Sequence, residues 1–343
     1  MHVVAPDLPT NSLIRQELEK MGAQVHEVFL RRTNINPLTD LMMFYYLWRL
    51  IYKIKPNFSF AYTIKPVIWG TIAAWLAGVP ERFALITGVG YTFQEDNESR
   101  SWIRLIAISL YSIALRRAHK IFFQNSDDEA LFHSLGIINP SDRKTVVVNG
   151  SGVDIKSFAE APFPDVIQFL MIARFLGDKG IREYIQAASI VRHQYPQVHF
   201  ALVGSYDESP DGISKNEVEH WIELGDVKIL GRLENVKPAI SESSVYVLPS
   251  YREGTPRSTL EAMSMGRPII TTDTPGCRET VIHGQNGFLV PVKSVDELVN
   301  AMIRFILSPG LINKMGSMSR QLALEKYDVN KVNDHILREM QIY

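Results

Sequence analysis

Short runs of β-branched and aromatic residues alternate with longer segments of helical period along most of the chain. "HVVAP" (2–6) predicts a strand. "NSLIRQELEKMG" (11–22) predicts a helix with Asn11 or Ser12 at its cap and Gly22 at its end. "AQVHEVFL" (23–30) predicts a strand, 38–53 a long apolar helix, and "FSFAYTI" (58–64) a further strand. A helix starts at Pro66 and stops near Gly78-Val79-Pro80, and the strand "RFALIT" (82–87) runs into the loop "GVGYTF". Helix 101–117, strand "KIFFQN" (120–125), helix 127–135 and strand "KTVVVN" (144–149) complete the first half. "GSGVDIKSFAEAPFPD" (150–165) breaks the rhythm and is the expected domain boundary. The pattern then restarts, with strands at 166–173, 198–204, 227–230, 244–250 and 268–273. Helices fall at 178–193, 214–224, 234–242 and 256–265, and three more, near 295–307, 310–326 and 329–341, close the chain.

Strand-helix alternation implies parallel sheets with helices on both faces. The expected fold is therefore α/β, with two doubly wound Rossmann-like domains facing a cleft. The first spans 1–156 and the second 157–326, with 327–343 packing back on the first. In such sheets ligands lie beyond the carboxyl ends of the strands. The 343 residues suit two domains, and a net charge of -1 gives no sign of a nucleic-acid partner. The lone Cys277 cannot form an internal disulfide or a zinc cluster, and reads as a small hydrophobe in a reducing, cytoplasmic setting. No signal-peptide pattern opens the chain, and no apolar run reaches the roughly 18 residues a spanning helix needs.

The richest chemistry lies in "SYREGTPRSTLEAMSMGRP" (250–268), which starts at the expected carboxyl end of a strand. Pro256 suits a first helical turn, because the N–H it lacks would be unpaired there. The N–H groups of Gly254, Thr255, Arg257 and Ser258 are then free to meet an anion, and Gly254 allows close backbone approach. Glu253 precedes the helix and Glu261 sits about one turn inside it. Two carboxylates accept from hydroxyls, so a phosphorylated polyol matches the pair. "ARFLGDKG" (173–180) places Arg174 and Lys179 at another strand end, where both can reach a diphosphate. Gly204 in "LVGS" and Gly231 with Arg232 in "LGR" stand at two further strand ends.

In order, "ARFLGDKG", "LVG", "LGR", "LPSYREGTPRSTLEAMSMGRPIITTD" and "GCRETVIHGQNGFLV" resemble the nucleotide-sugar domain of the GT-B retaining glycosyltransferases of family 4. The spacing of Glu253 and Glu261 is that family's signature, and the resemblance covers 166–325. It implies that Arg174 and Lys179 hold the donor diphosphate. It implies that Glu253 and the Gly254–Pro256 backbone meet the donor sugar, that Glu261 takes the ribose hydroxyls, and that "LGRLENV" (230–236) holds the base. Gly204, Gly231, Arg232, Thr255 and Ser258 complete the expected donor site. Fixed cations and helix N–H groups can carry the leaving diphosphate's charge. With no Asp-x-Asp pair at a strand end, no metal or cofactor is expected, and a UDP-sugar is the expected donor substrate.

The first half is similar to bacterial transferases that extend a sugar on polyprenyl diphosphate, as in O-antigen and capsule assembly, through "FAYTIKPVIWGTIAAWLAGVPERFALITGVGYTF", "FFQNSDDEALF" and "NGSGVD". That resemblance implies an acceptor site with Thr87, Gly88, Gly90 and Tyr91 in a Gly-rich loop. Lys65 is either a contact to an acceptor phosphate or an ordinary helix flank. Asn125 either faces the cleft or caps helix 127–135. His119 in "RRAHK" is either a helix-end histidine or a catalytic group near the transferred sugar. The helices around "LMMFYYLWRLIYKIK" (41–55) and "RSWIRLIAISLYSIALRRAHK" (100–120) mix bulky apolar residues with cations, and either lie on a membrane surface or pack on the sheet. Against the family's pattern, the chain opens directly on what resembles a second strand, so the first β-α unit of about 30 residues is expected to be missing.

The expected function is transfer of a hexose or N-acetylhexosamine from a UDP-sugar to a polyprenyl-diphosphate-linked saccharide. The expected setting is peripheral, at the inner face of the cell membrane, with no nucleic-acid partner. Two alternatives stay open: a nucleotide-sugar epimerase of the same fold, which needs no acceptor, and a truncated, inactive nucleotide-sugar binder.

Overall fold

Apolar runs of four to six residues, each closed by Gly, Pro or a polar pair, become strands, and the longer amphipathic stretches between them become helices. The structure, a computed structural model, describes residues 1–28, 37–89 and 101–342. It divides into two compact units, Met1–Phe122 with Phe132–Val146, and Phe123–Leu131 with Val147 onward.

The first unit runs β1 (His2–Ala5), α1 (Leu13–Lys20), β2 (Gln24–Glu27), α2 (Pro37–Ile54), β3 (Phe58–Tyr62), a π-helical turn (Pro66–Gly70), α3 (Thr71–Leu76), β4 (Glu81–Ile86), α4 (Ser101–Arg116) and β5 (Lys120–Phe123). α5 (Ser126–Ser134) follows in the chain, with its residues up to Leu131 grouping with the second unit, and then β6 (Thr145–Val147). Every element expected from the sequence is present. Among the described residues, however, the strands form two sheets: β1 pairs with β2, and β3-β4-β5-β6 form a second sheet. The β1–β2 and β3–β4 ladders are parallel. Within the second sheet the strands differ in cover. β4 from Phe83 and β5 from Ile121 are apolar and buried, whereas β3 leaves Phe58, Phe60 and Tyr62 exposed along one face.

The second unit follows the predicted rhythm closely. It contains β7 (Gln168–Ile172), α6 (Ile181–Gln194), β8 (His199–Val203), α7 (Lys215–Leu224), β9 (Lys228–Gly231), α8 (Lys237–Ser241), β10 (Val245–Leu248), α9 (Arg257–Ser264) and β11 (Ile269–Thr272). A strand the periodicity did not show, β12 (Gly287–Val290), adds an edge. Helices α10 (Val295–Leu307), α11 (Gly310–Lys326) and α12 (Val329–Glu339) follow. The sheet order is β12-β11-β10-β7-β8-β9, with every described ladder parallel. Its central strands are almost wholly apolar: β10 is buried at all four positions and β7 from Phe169 to Met171, as a sheet covered on both faces requires.

Residues 150–156 and the C-terminal helix both group with the second unit, where the sequence reading placed both on the first domain. Backbone bonds explain the grouping. The Val153 N–H donates to Tyr327 O (2.8 Å), and the Val329 N–H donates back to Val153 O (3.0 Å). Gly152 makes this approach possible. A Cβ there would come within 2.6 Å of the Val329 Cα, and its φ of +69° suits glycine.

A donor-type site at the switch point of the second sheet

In the second sheet the chain winds outward from β7 in one direction and from β10 in the other, so the order reverses between these two neighbours. A crevice at the carboxyl ends of such a pair is the usual ligand position in doubly wound sheets. Both sequence motifs lie there. Beyond β7 the chain passes Arg174, makes a 3-10 turn (Gly177–Lys179) and enters α6 through Gly180. Beyond β10 it runs from Pro249 to Pro256, the N-cap of α9. Glycine is required at Gly180: its φ is +70°, and a Cβ would meet Pro249 O at 2.2 Å. Gly204, just after β8, is equally constrained, with the Ala173 carbonyl 1.9 Å from where a Cβ would stand.

Two of the predicted site residues meet directly. Lys179 Nζ lies 2.8 Å from Glu253 Oε1, and the Ser250 hydroxyl donates to the same oxygen at 2.8 Å. Both charged side chains are mostly buried. Burial works against the Lys179 charge, but the Glu253 and Asp178 carboxylates outweigh it and hold its pKa above the ordinary value. The Cys277 thiol is fully buried, and burial with the nearby Glu253 charge pushes it up to about 11.

Glu261 lies inside α9, 8% exposed, and its Oε1 accepts from Arg257 Nε at 3.0 Å. Burial raises its pKa, and Arg257 opposes the rise. Arg174 is more than half exposed and pairs with Asp207 at 2.6 Å. Between these groups, the N–H groups of Gly254, Thr255, Arg257 and Ser258 have no acceptor among the described residues. The strand ends thus bring together two cations, two carboxylates and a run of unpaired donors. That set can bind a diphosphate ester and accept from sugar hydroxyls.

Other predicted residues are placed differently. Gly231 ends β9 with φ +68°, its carbonyl accepting from the Gly204 N–H, and the exposed Arg232 follows it. The Thr255 hydroxyl donates to Gln124 O at 3.0 Å. Ser258 accepts from the Tyr246 hydroxyl at 2.6 Å and lies 3.3 Å from Ile172 O, so its side chain serves packing of α9 on the sheet rather than a ligand. Asn125 is 1% exposed. Its Oδ1 caps α5 by accepting from the Asp128 N–H (2.7 Å), and its Nδ2 donates to Gly254 O (2.8 Å). The capping alternative therefore holds, and no polar atom of this side chain is turned outward to an acceptor.

In the first unit, Thr87 and Gly88 follow the carboxyl end of β4, and Gly88 has φ +124°. Lys65 lies beyond β3 and bonds Asp40 at 2.8 Å. Gly90 and Tyr91 lie outside the described residues. His119 is not where a catalytic group would stand. It immediately precedes β5, at the amino end of the strand. There its Nδ1 accepts from the Arg82 N–H (3.1 Å) and its own N–H donates to Arg82 O (2.8 Å). It stitches the starts of β4 and β5 together.

Several residues at this crevice carry no motif in the sequence. Asp207 and Ser250 carry a common loop signal, a polar residue just past a strand. Asp128 and Arg252 pair across 124 positions of sequence, and no local pattern records such a contact.

Comparison with known proteins agrees with the geometry. Residues 2–125 match the family model "Glycosyl transferase 4-like" and residues 167–308 match "Glycosyl transferases group 1". A Campylobacter jejuni N,N'-diacetylbacillosaminyl-diphospho-undecaprenol alpha-1,3-N-acetylgalactosaminyltransferase is 27% identical, over 94% of this chain and 87% of its own length. An Escherichia coli UDP-Gal:alpha-D-GlcNAc-diphosphoundecaprenol alpha-1,3-galactosyltransferase is 26% identical, over 88% and 80% respectively. Among solved structures, Anabaena HepE in complex with UDP-glucose superposes with a TM-score of 0.79 at 19% identity, covering 100% of both chains. Sucrose-phosphate synthase from Thermosynechococcus elongatus superposes with a TM-score of 0.77 at 18% identity, covering 98% of each. With its two halves matched in order to these two models and its whole length superposing on this architecture, the chain belongs to the GT-B glycosyltransferases.

Proposed function

We propose that this glycosyltransferase moves a hexose or N-acetylhexosamine from a UDP-sugar to a saccharide carried on polyprenyl diphosphate, retaining the anomeric configuration. The observation that carries the donor half is the meeting of Lys179, Glu253 and the unpaired N–H groups before α9 at the β7/β10 switch point. Arg174 and Lys179 grip the diphosphate. Glu253 leaves Lys179 for the donor sugar, and Glu261 accepts from the ribose hydroxyls. Cleavage of the anomeric bond puts negative charge on the departing diphosphate, and the cations with the α9 N–H groups stabilise it. No metal or other cofactor is expected in this scheme.

The acceptor half is supported by the two relatives named for diphospho-undecaprenol substrates. On this chain it falls to the first unit, with Lys65, Thr87, Gly88, Gly90 and Tyr91 as candidate contacts. A lipid-linked acceptor also accounts for α2. That helix buries Met43 and Leu47 on one side yet leaves Leu41, Met42, Tyr45, Tyr46 and Tyr52 exposed on the other, beside Arg49 and Lys53. α4 also exposes Leu105, Ile106 and Ile113, with Arg116 at its end and Arg117 just beyond. No described helix is long and apolar enough to cross a membrane. An exposed apolar face edged with cations fits the interface of an anionic bilayer, and we assign the enzyme to the inner face of the cell membrane on that basis.

The test is a panel of radiolabelled UDP-sugars incubated with the protein and a bacterial lipid extract. Label should pass from one UDP-sugar into a butanol-soluble product whose mass has risen by one sugar. Conversion of the donor to its epimer without any need for lipid would overturn the proposal.

A further inference from the structure

The loop that carries Glu253 is braced at every residue. The Ser250 carbonyl accepts from the Thr272 hydroxyl, and Tyr251 donates to Glu183 at 2.6 Å. Arg252 Nη2 donates to Asp128 Oδ1, and the Gly254 carbonyl accepts from Asn125 Nδ2 at 2.8 Å. The Thr255 hydroxyl donates to Gln124 O at 3.0 Å. Three of these ties come from one short segment, Gln124–Asp128, which belongs to the same compact unit as the loop.

Asp128 is the centre of that segment. It is fully buried, with one oxygen on Arg252 and the other 3.1 Å from Asn125 Nδ2. Arg252 is one residue from Glu253, and Asn125 holds the carbonyl one residue beyond it. A buried carboxylate held by an arginine and an amide is costly unless both partners stay in place. The geometry fixes the backbone on either side of Glu253 and leaves the α9 N–H groups facing outward. We propose that Asp128, acting through Arg252 and Asn125, is a positioning residue for the donor site, holding the Glu253 loop in the shape that receives a nucleoside diphosphate sugar. It touches neither donor nor acceptor.

The inference rests on the donor site proposed above, and the test separates the two. UDP is titrated calorimetrically into the full-length wild-type protein and into D128N, R252Q, N125A and the double variant D128N/R252Q, with thermal unfolding followed alongside. Wild-type protein should bind UDP, and each single variant should bind it at least about tenfold more weakly. R252Q should be worst, because it strands a buried charge. The double variant, which replaces the ion pair with an amide pair, should return to within about threefold of wild type, and UDP affinity measured well below each variant's unfolding midpoint separates loop position from general stability. In transfer assays N125A should raise the KM for the donor and leave the KM for the lipid acceptor unchanged. If D128N or R252Q does not fold, T255V, which deletes only the tie to Gln124, supplies the same readout with a smaller expected loss of about threefold. Wild-type protein that fails to bind UDP would overturn the donor reading itself. UDP binding by wild type with unchanged affinity in N125A and T255V, or a raised acceptor KM in N125A, would overturn the positioning role alone.

Discussion

At the scale of single residues, charge at the crevice is held in pairs before a ligand arrives. Glu253 and Lys179 neutralise each other at 2.8 Å, and a donor must exchange this pair for contacts of its own. E253Q keeps an oxygen that can accept from Lys179 and Ser250 but loses the charge. It should leave the melting temperature within a few degrees of wild type and lower kcat by about a hundredfold or more. Near-wild-type turnover measured for this variant would contradict its role. Glu261 allows a test with a definite sign. Burial raises its pKa above 4.5 in the folded protein. Its favourable contribution to stability is therefore fully present below that ordinary value and is lost as pH rises through the folded one. E261Q does not titrate, so its melting temperature relative to wild type should be more favourable at pH 7.5 than at pH 4.5, by calorimetry. The same variant should bind UDP roughly ten- to a hundredfold more weakly, the worth of a hydrogen bond to a charged group. Cys277 lies beside this chemistry yet should be inert. Its pKa of about 11 and full burial leave almost no accessible thiolate at pH 8. Titration with a disulfide reagent should detect no thiol in the native protein and one after denaturation.

At the scale of elements, α2 carries the clearest unfinished surface. Its buried side already anchors it through Met43 and Leu47, so the exposed residues opposite can be changed without opening the core. The triple variant L41S/M42S/Y45S should fold as wild type does and partition onto anionic vesicles at least about tenfold less well in a sedimentation assay. Equal partitioning would remove the membrane from the account. Elements also show why some of the sequence was readable and some was not. The strands and helices of the second unit were legible because each apolar run ends in Gly, Pro or a polar pair, and because α9 begins at a proline. β12 was missed because three apolar residues after Asn286-Gly287 resemble a turn as much as a strand. The placement of His119 followed from chain direction. A residue just before a parallel strand lies at the end away from the ligands, and resemblance to a family pulled it toward the wrong end.

At the scale of the whole chain, both halves are α/β and parallel as the alternation of elements implied, and the proposed donor crevice lies where the order of strands reverses. The residues proposed to grip the donor, Arg174, Lys179, Glu253 and Glu261, could be singled out because each stands in a short strand-loop-helix unit. The residues that hold those units in shape were not, because Asp128 and Arg252 are brought together only by folding. The same holds for the C-terminal helix, whose grouping depends on backbone bonds between Val153, Tyr327 and Val329 that no local pattern contains. The decisive experiment is a crystal structure of the protein with UDP. The account predicts the diphosphate within hydrogen-bonding distance of Arg174, Lys179 and the N–H groups before α9, with the ribose hydroxyls on Glu261. A nucleotide bound elsewhere, with those side chains untouched, would contradict it.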